Sequence, residues 1–150
     1  MEKKKFVFEK TVYLSDTNAE GNVYFAKYFE WQGQSREEFV KTYVPNILKL
    51  LQEGLVMITC EAHCYFLKPA FLFDQIEIEI RTSDVKKASF NLVFIFKNKN
   101  SNEVIATGIQ KIAFSSKEGK LMPIPDAILK QTEFFLEDNP SHILKQSVQA

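Results

Sequence analysis

Between Asp16 and Arg36 the chain carries residue types that can bind and polarise a carbonyl. A polar turn over residues 15–22, with Asn18, Gly21 and Asn22, runs straight into an aromatic helical stretch. The first N–H groups of a helix lack intrahelical acceptors and sit at the positive end of its dipole, so those of Val23 to Phe25 are candidate donors to a developing oxyanion. Asn18 offers a neutral amide that can orient a water or donate to a carbonyl. It cannot take up a proton, so it is no general base. As a plain turn residue it would only tolerate unusual backbone angles. Arg36 falls in mid-helix on the apolar side, among Phe29, Phe39 and Tyr43. A guanidinium there needs a partner. That partner is an oxyanion or a substrate carboxylate, or a structural carboxylate such as Glu61; otherwise the side chain snorkels to the surface. Tyr28, about one turn into the helix, either brings a hydroxyl to the site or packs in the core. Glu37 and Glu38 are helix-borne carboxylates or surface charges. His63, sharing a strand face with Glu61, is a general base or a packing residue.

The elements that must position these groups follow from periodicity and punctuation. Residues 6–14 read as a strand. From Val23 to about Tyr43 the pattern is helical, with Phe25, Phe29, Gln32, Arg36, Phe39, Val40 and Tyr43 predicted on one buried face. Pro45 breaks the helix after Tyr43, residues 46–53 add a short helix, and Gly54 is placed as its C-cap. Residues 55–67 form a strand, expected to set Val56, Ile58, Cys60, Ala62, Cys64 and Phe66 on one face and Met57, Thr59, Glu61, His63 and Tyr65 on the other. Residues 75–82 alternate as a half-buried strand, residues 89–97 are apolar on both faces, and residues 98–102 make a hairpin turn. Residues 103–115 form the last strand, where Gly108 predicts a bulge or a close backbone approach. A short helix is expected from about Asp126 to Leu136, with a loose tail after Pro140. One long helix followed by an antiparallel meander predicts an α+β arrangement with the sheet wrapped around the helix.

The bulk properties exclude several function classes. The 150 residues suit one domain, 1–150, with a core over about 6–125 and a C-terminal appendage over 126–150. Lysine plus arginine and aspartate plus glutamate both number 19, so no net charge draws the protein to nucleic acid or an anionic membrane. No signal peptide is recognisable and no apolar run is long enough to span a bilayer. Cys60 and Cys64 are too far apart along one strand for a disulfide, which fits a reduced cytoplasmic protein. His63 points away from both, so no metal site is expected. Fourteen phenylalanines suggest an aromatic core or a pocket for an apolar ligand.

The run Asp16-Thr-Asn18-Ala-Glu-Gly21-Asn-Val-Tyr24-Phe-Ala-Lys-Tyr28 resembles the active-site loop of hotdog-fold thioesterases of the 4-hydroxybenzoyl-CoA thioesterase type. Tyr65-Phe-Leu-Lys-Pro69-Ala70, Asp74 and Ala106-Thr-Gly108-Ile-Gln110 follow in the expected order. Those enzymes usually place an Asp where this chain has Asn18. Thr17-Asn18-x-x-Gly21-Asn22-Val-Tyr-Phe with Trp31-Gln-Gly33-x-x-Arg36-Glu37 is more similar to the enediyne polyketide thioesterases, which release products from an acyl carrier protein without that carboxylate. The resemblance implies a single hotdog domain. It implies Asn18, Arg36, the backbone N–H of Phe25 and Tyr28 as catalytic groups, with Gly21, Asn22, Tyr24 and Phe29 contacting substrate.

What the resemblance implies chemically is hydrolysis of an acyl thioester on a pantetheine arm, with no cofactor. A thiolate leaves readily, so the demands are a placed water and donors for the oxyanion. The expected carrier is an acyl carrier protein, the acyl group fatty or β-ketoacyl. A broad acyl-CoA thioesterase and a non-catalytic acyl-binding protein are the alternatives. A homo-oligomer, dimer or tetramer, is expected to cover the sheet edges and the aromatic flank of the helix.

Overall fold

The computed structural model describes residues 2–145. Strand β1 (Phe6–Thr11) leads through a short 3-10 turn into helix α1 (Ala26–Tyr43), and helix α2 (Ile47–Gln52) follows the Val44–Pro45 break. Four strands then succeed one another: β2 (Val56–Phe66), β3 (Gln75–Ser83), β4 (Ser89–Asn98) and β5 (Val104–Ser115). Helices α3 (Asp126–Phe134) and α4 (Pro140–Lys145) close the described chain. The sheet has the order β1-β3-β4-β5-β2, and every neighbouring pair is antiparallel.

Helix α1 packs on one face of this sheet through Tyr28, Trp31, Gln32, Ser35 and Phe39, all buried. Facing it are Ile76, Ile78 and Ile80 of β3, Leu92, Phe94 and Phe96 of β4, and Ile112 and Phe114 of β5. Aromatic edges lock the two layers: Tyr28 meets Phe96 at 5.4 Å, and Phe39 meets Phe6 at 5.3 Å. Deleting a ring such as Phe39 would cost about 3–5 kcal/mol in lost burial and residual cavity. The expected α+β layering, with a long helix against an antiparallel sheet, is what the chain forms.

Several local expectations are corrected. The predicted stripe on α1 is rotated: Tyr28, Trp31 and Ser35 are buried, Phe25 is exposed, and Phe29, Arg36 and Val40 lie half-buried on the flank. That flank runs beside β2, which is the sheet's edge. The helix also begins later than Val23, because residues 17 and 23 and residues 22 and 71 pair as isolated bridges.

The face assignment along β2 fails midway. The register against β5 shifts between Thr59 and Glu61, leaving Cys60 as a bulge. One extra residue inverts the alternation. Met57 and Thr59 therefore pair with the core-facing Phe114 and Ile112, while beyond the bulge Ala62, Cys64 and Phe66 take over that face. Gly54 lies one position beyond the C-cap Glu53, at φ +108. Pro140–Lys145 is helical rather than loose, and residues 146–150 of the expected tail lie outside the described residues. Among the described residues no helix is long and apolar enough to cross a membrane.

Candidate active site

The turn before α1 is tied together by its own backbone. Asn18 N–H donates to Asn22 O, and Gly21 N–H donates back to Asn18 O. Gly21 sits at φ +89, where a side chain would be strained. Next along the chain, Val23 N–H donates to Ala70 O and Tyr24 N–H to Asp16 O. Phe25 is the helix N-cap with helical angles, and its N–H has no acceptor among the described residues. Of the three donors expected from sequence, two are consumed by the loop and Phe25 alone is open.

Asp16, buried to 6% exposure, is the anchor that the sequence did not single out. Its carboxylate accepts Tyr13 N–H at 2.9 Å and lies 3.8 Å from Lys27 Nζ. Two residues on, the half-buried Asn18 uses Oδ1 to accept Glu20 N–H at 3.0 Å. The carbonyl end of that amide is therefore committed to the turn, and the NH2 end is the one able to serve a ligand. The turn-residue and donor readings of Asn18 are thus compatible in one side chain.

Tyr28 is packed rather than presented. Its ring lies against Phe66 at 5.2 Å and Trp31 at 5.3 Å, with 3% of the residue exposed. Burial first, then the nearby Cys64 and Asp74, pushes its phenol up to about 12. Burial likewise pushes the Cys64 thiol up to about 12, so neither group is a base or nucleophile near neutrality. Tyr24 lies tilted against the exposed ring of Phe25 at 4.9 Å, and Phe25 meets Phe66 edge-on at 6.5 Å. Between the start of α1 and the end of β2 lies an open depression lined by Phe25, Tyr28, Phe66, Leu67 and Lys68. Its walls suit an apolar or aromatic group. Phe29 stands half-buried on the same helix.

Among the described residues Arg36 has no carboxylate within ion-pair distance. Its Nη1 donates to Thr59 Oγ1 at 2.6 Å and to Gln110 Oε1 at 3.2 Å, both neutral acceptors. The suggested structural partner, Glu61, instead lies 3.7 Å from His63. Those two point to the outer face of the sheet, since Glu61 and His63 pair with Lys111 and Ile109 while the intervening Gln110 faces the helix. The His63–Glu61 base is thereby removed from the site. Desolvation lowers the Arg36 pKa and Glu37 partly offsets this, but a guanidinium stays cationic. Glu38 pairs with Lys41 at 3.1 Å and Glu37 is exposed, as surface charges do.

Behind Arg36 runs a buried polar chain. Gln110 Nε2 donates to Gln32 Oε1 at 3.0 Å, and Gln32 Nε2 donates to His63 O at 3.0 Å. Gly108 makes room for it: a Cβ there would fall 2.3 Å from Gln32 Nε2. Gln32 stood on the helix face assigned from the sequence and Gln110 in the run Ala106 to Gln110, neither with a role. Thr59 was not, because the bulge that turns it inward leaves no sequence signature. Asn18, Gly21, Asn22, Tyr24 and Phe25 gather at the helix start. Arg36 lies eleven residues along α1, about 16 Å from Phe25 at about 1.5 Å per residue. One chain does not bring the two together. Among the described residues no three His, Cys, Asp or Glu side chains could hold a metal ion.

Residues 12–132 match the family model for the thioesterase-like superfamily. The chain belongs to that superfamily, has the hotdog fold, and is a thioester hydrolase. It is 27% identical over 144 residues to a 1,4-dihydroxy-2-naphthoyl-CoA hydrolase of Prochlorococcus marinus, covering 89% of this chain and 88% of the relative. Among solved structures, the dynemicin thioesterase superposes with a TM-score of 0.84 at 24% identity, over 89% of this chain and 99% of that one. A gentisyl-coenzyme A thioesterase superposes with a TM-score of 0.74 at 24% identity, over 85% of this chain and 99% of that one.

Proposed function

We propose that this protein hydrolyses an acyl thioester on a pantetheine arm at a site shared between two copies of the chain. The observation that carries the reading is the open Phe25 N–H at the start of α1, beside the committed turn of Asn18 and the aromatic depression. The thioester oxygen accepts from Phe25 N–H, aided by the helix dipole. The Asn18 amide donates to the attacking water or to the carbonyl. Water oxygen bonds to the carbonyl carbon, the C–S bond breaks, and the thiolate takes up the proton. The acyl group lies along Phe25, Tyr28 and Phe66, with Gly21, Asn22, Tyr24 and Phe29 flanking the arm.

Arg36 joins this site from the second copy, where it contacts the oxyanion or a carboxylate on the acyl group. Strand β2 is an 11-residue edge with Val56, Ile58 and Phe66 exposed, which favours pairing with another strand. Antiparallel pairing centred on Glu61 would set the partner's Phe66 opposite Val56, about 10 Å along the strand from Thr59 at about 3.3 Å per residue. Within one chain the same separation, Phe66 to Thr59, is about 23 Å. Mixing Arg36→Ala with Asn18→Ala protein, after exchange of subunits, tests this. Half the dimers would then hold one intact site, restoring about a quarter of wild-type activity. No recovery with demonstrated exchange would refute the shared site.

The carrier is an acyl carrier protein in the first reading, by the Asn18 and Arg36 pattern. The name of the Prochlorococcus marinus relative favours the second reading, an aromatic acyl-CoA. Thiol release from matched acyl-carrier and acyl-CoA substrates separates them.

A further inference from the structure

We propose that Gln110 and Thr59 are positioning residues for Arg36 and that Gln32 braces Gln110 for the task; the inference rests on the anion-contacting role given to Arg36 above. The orientation of the whole relay is dictated from its inner end. His63 O is a backbone carbonyl and can only accept, so it takes Nε2 of Gln32 at 3.0 Å. That turns Gln32 Oε1 outward, where it accepts Gln110 Nε2 at 3.0 Å. Gln110 must then present Oε1, not its NH2, to the guanidinium. Flipping either amide would set donor against donor along the relay or against Arg36. Both amides are nearly free of solvent, Gln32 at 0% and Gln110 at 5% exposure, so no water substitutes for a lost bond.

Thr59 supplies the second acceptor, 2.6 Å from the same Nη1. Nη1 is thereby held twice, and the N–H groups on Nε and Nη2 remain for a ligand. The acceptors' neutrality matters as much as their placement. A carboxylate in either place would bind the guanidinium more strongly but cancel its charge. A hydroxyl and an amide oxygen fix its direction and leave the charge to act on an anionic group of the substrate. The bulge at Cys60 and the bare Cα of Gly108 are what the fold contributes, the first by turning Thr59 inward and the second by clearing Gln32's path.

The test uses Gln110→Glu, Thr59→Val and Arg36→Ala in the full chain, with octanoate and octanamide as competing inhibitors. Gln110→Glu should weaken octanoate competition about ten-fold, the scale of one charge-assisted hydrogen bond, while octanamide competes as before. Thr59→Val, a benign change on an exposed strand position, should lower kcat about three- to ten-fold with little change in KM. Both effects should vanish in the Arg36→Ala background. Should Gln110→Glu fail to fold, Thr59→Val and its silence with Arg36→Ala decide the matter. Wild-type behaviour of Gln110→Glu and Thr59→Val, beside a crippled Arg36→Ala, overturns the positioning role alone. Full activity and octanoate affinity in Arg36→Ala would instead overturn the role of Arg36 itself.

Discussion

Replacing Gly108 with alanine should destabilise the protein by an amount that depends on Gln32. The new Cβ would lie 2.3 Å from Gln32 Nε2, 3.2 Å from Gln32 Cδ and 2.9 Å from His63 O. The last of these is backbone on the neighbouring strand and cannot yield without opening the β2–β5 ladder. Gln32 cannot swing aside either, since it is fully buried and holds Gln110. Forcing the methyl in costs about 1–3 kcal/mol of overpacking. Displacing Gln32 instead strands buried amide and carbonyl groups at about 1–3 kcal/mol each. Either route costs about 2–3 kcal/mol, a fall of about 5–10 °C in Tm for a chain of this size. The sign is informative, because strand propensity alone favours alanine over glycine. Thermal and urea unfolding would be followed for Gly108→Ala, Gln32→Ala and the double variant. In the Gln32→Ala background the share of the cost that comes from Gln32 should disappear while the contact with His63 O stays, giving a coupling energy of about 1 kcal/mol or more. A Gly108→Ala protein melting within about 2 °C of wild type, or an equal cost in both backgrounds, would refute the argument.

Two further outcomes are expected. Asn18→Ala should lose about 1 kcal/mol through the turn bond to Glu20 N–H and should lower thiol release, whereas Asn18→Asp keeps that acceptor and should match wild type in Tm while removing the amide donor; an Asn18→Asp enzyme with undiminished turnover at neutral pH would argue against donation by the Asn18 NH2. The phenol of Tyr28 and the thiol of Cys64 are both pushed up to about 12 in the folded protein, so above their ordinary values the unfolded chain ionises first. Stability should therefore hold below about pH 9 and fall as pH rises toward 12, and a chemical-denaturation series in Tyr28→Phe should show a flatter alkaline decline than wild type.

The sequence was legible wherever a local pattern coincided with a tertiary fact, and illegible where one residue broke a period. The alternation of Ile76, Ile78 and Ile80 is repeated as the buried face of β3, and Pro45 ends α1 where the residue before it leaves helical angles. Gly108 announced a close approach without saying to what. By contrast, the face of α1 was assigned from its phenylalanines, yet the buried stripe is set by Tyr28, Trp31 and Ser35. Aromatic residues are welcome both in a core and on a flank awaiting cover, so composition alone cannot rank the two faces. The bulge at Cys60 had the larger consequence. It turns Thr59 toward the helix and Glu61 away from it, which removes Glu61, the structural partner suggested for Arg36 beside a substrate anion. An ion pair with Glu61 would have made Arg36 a structural residue with its charge cancelled. Held by a hydroxyl and an amide instead, the same guanidinium keeps its charge, half-buried beside the sheet's edge strand, with its remaining N–H groups free to meet an anion.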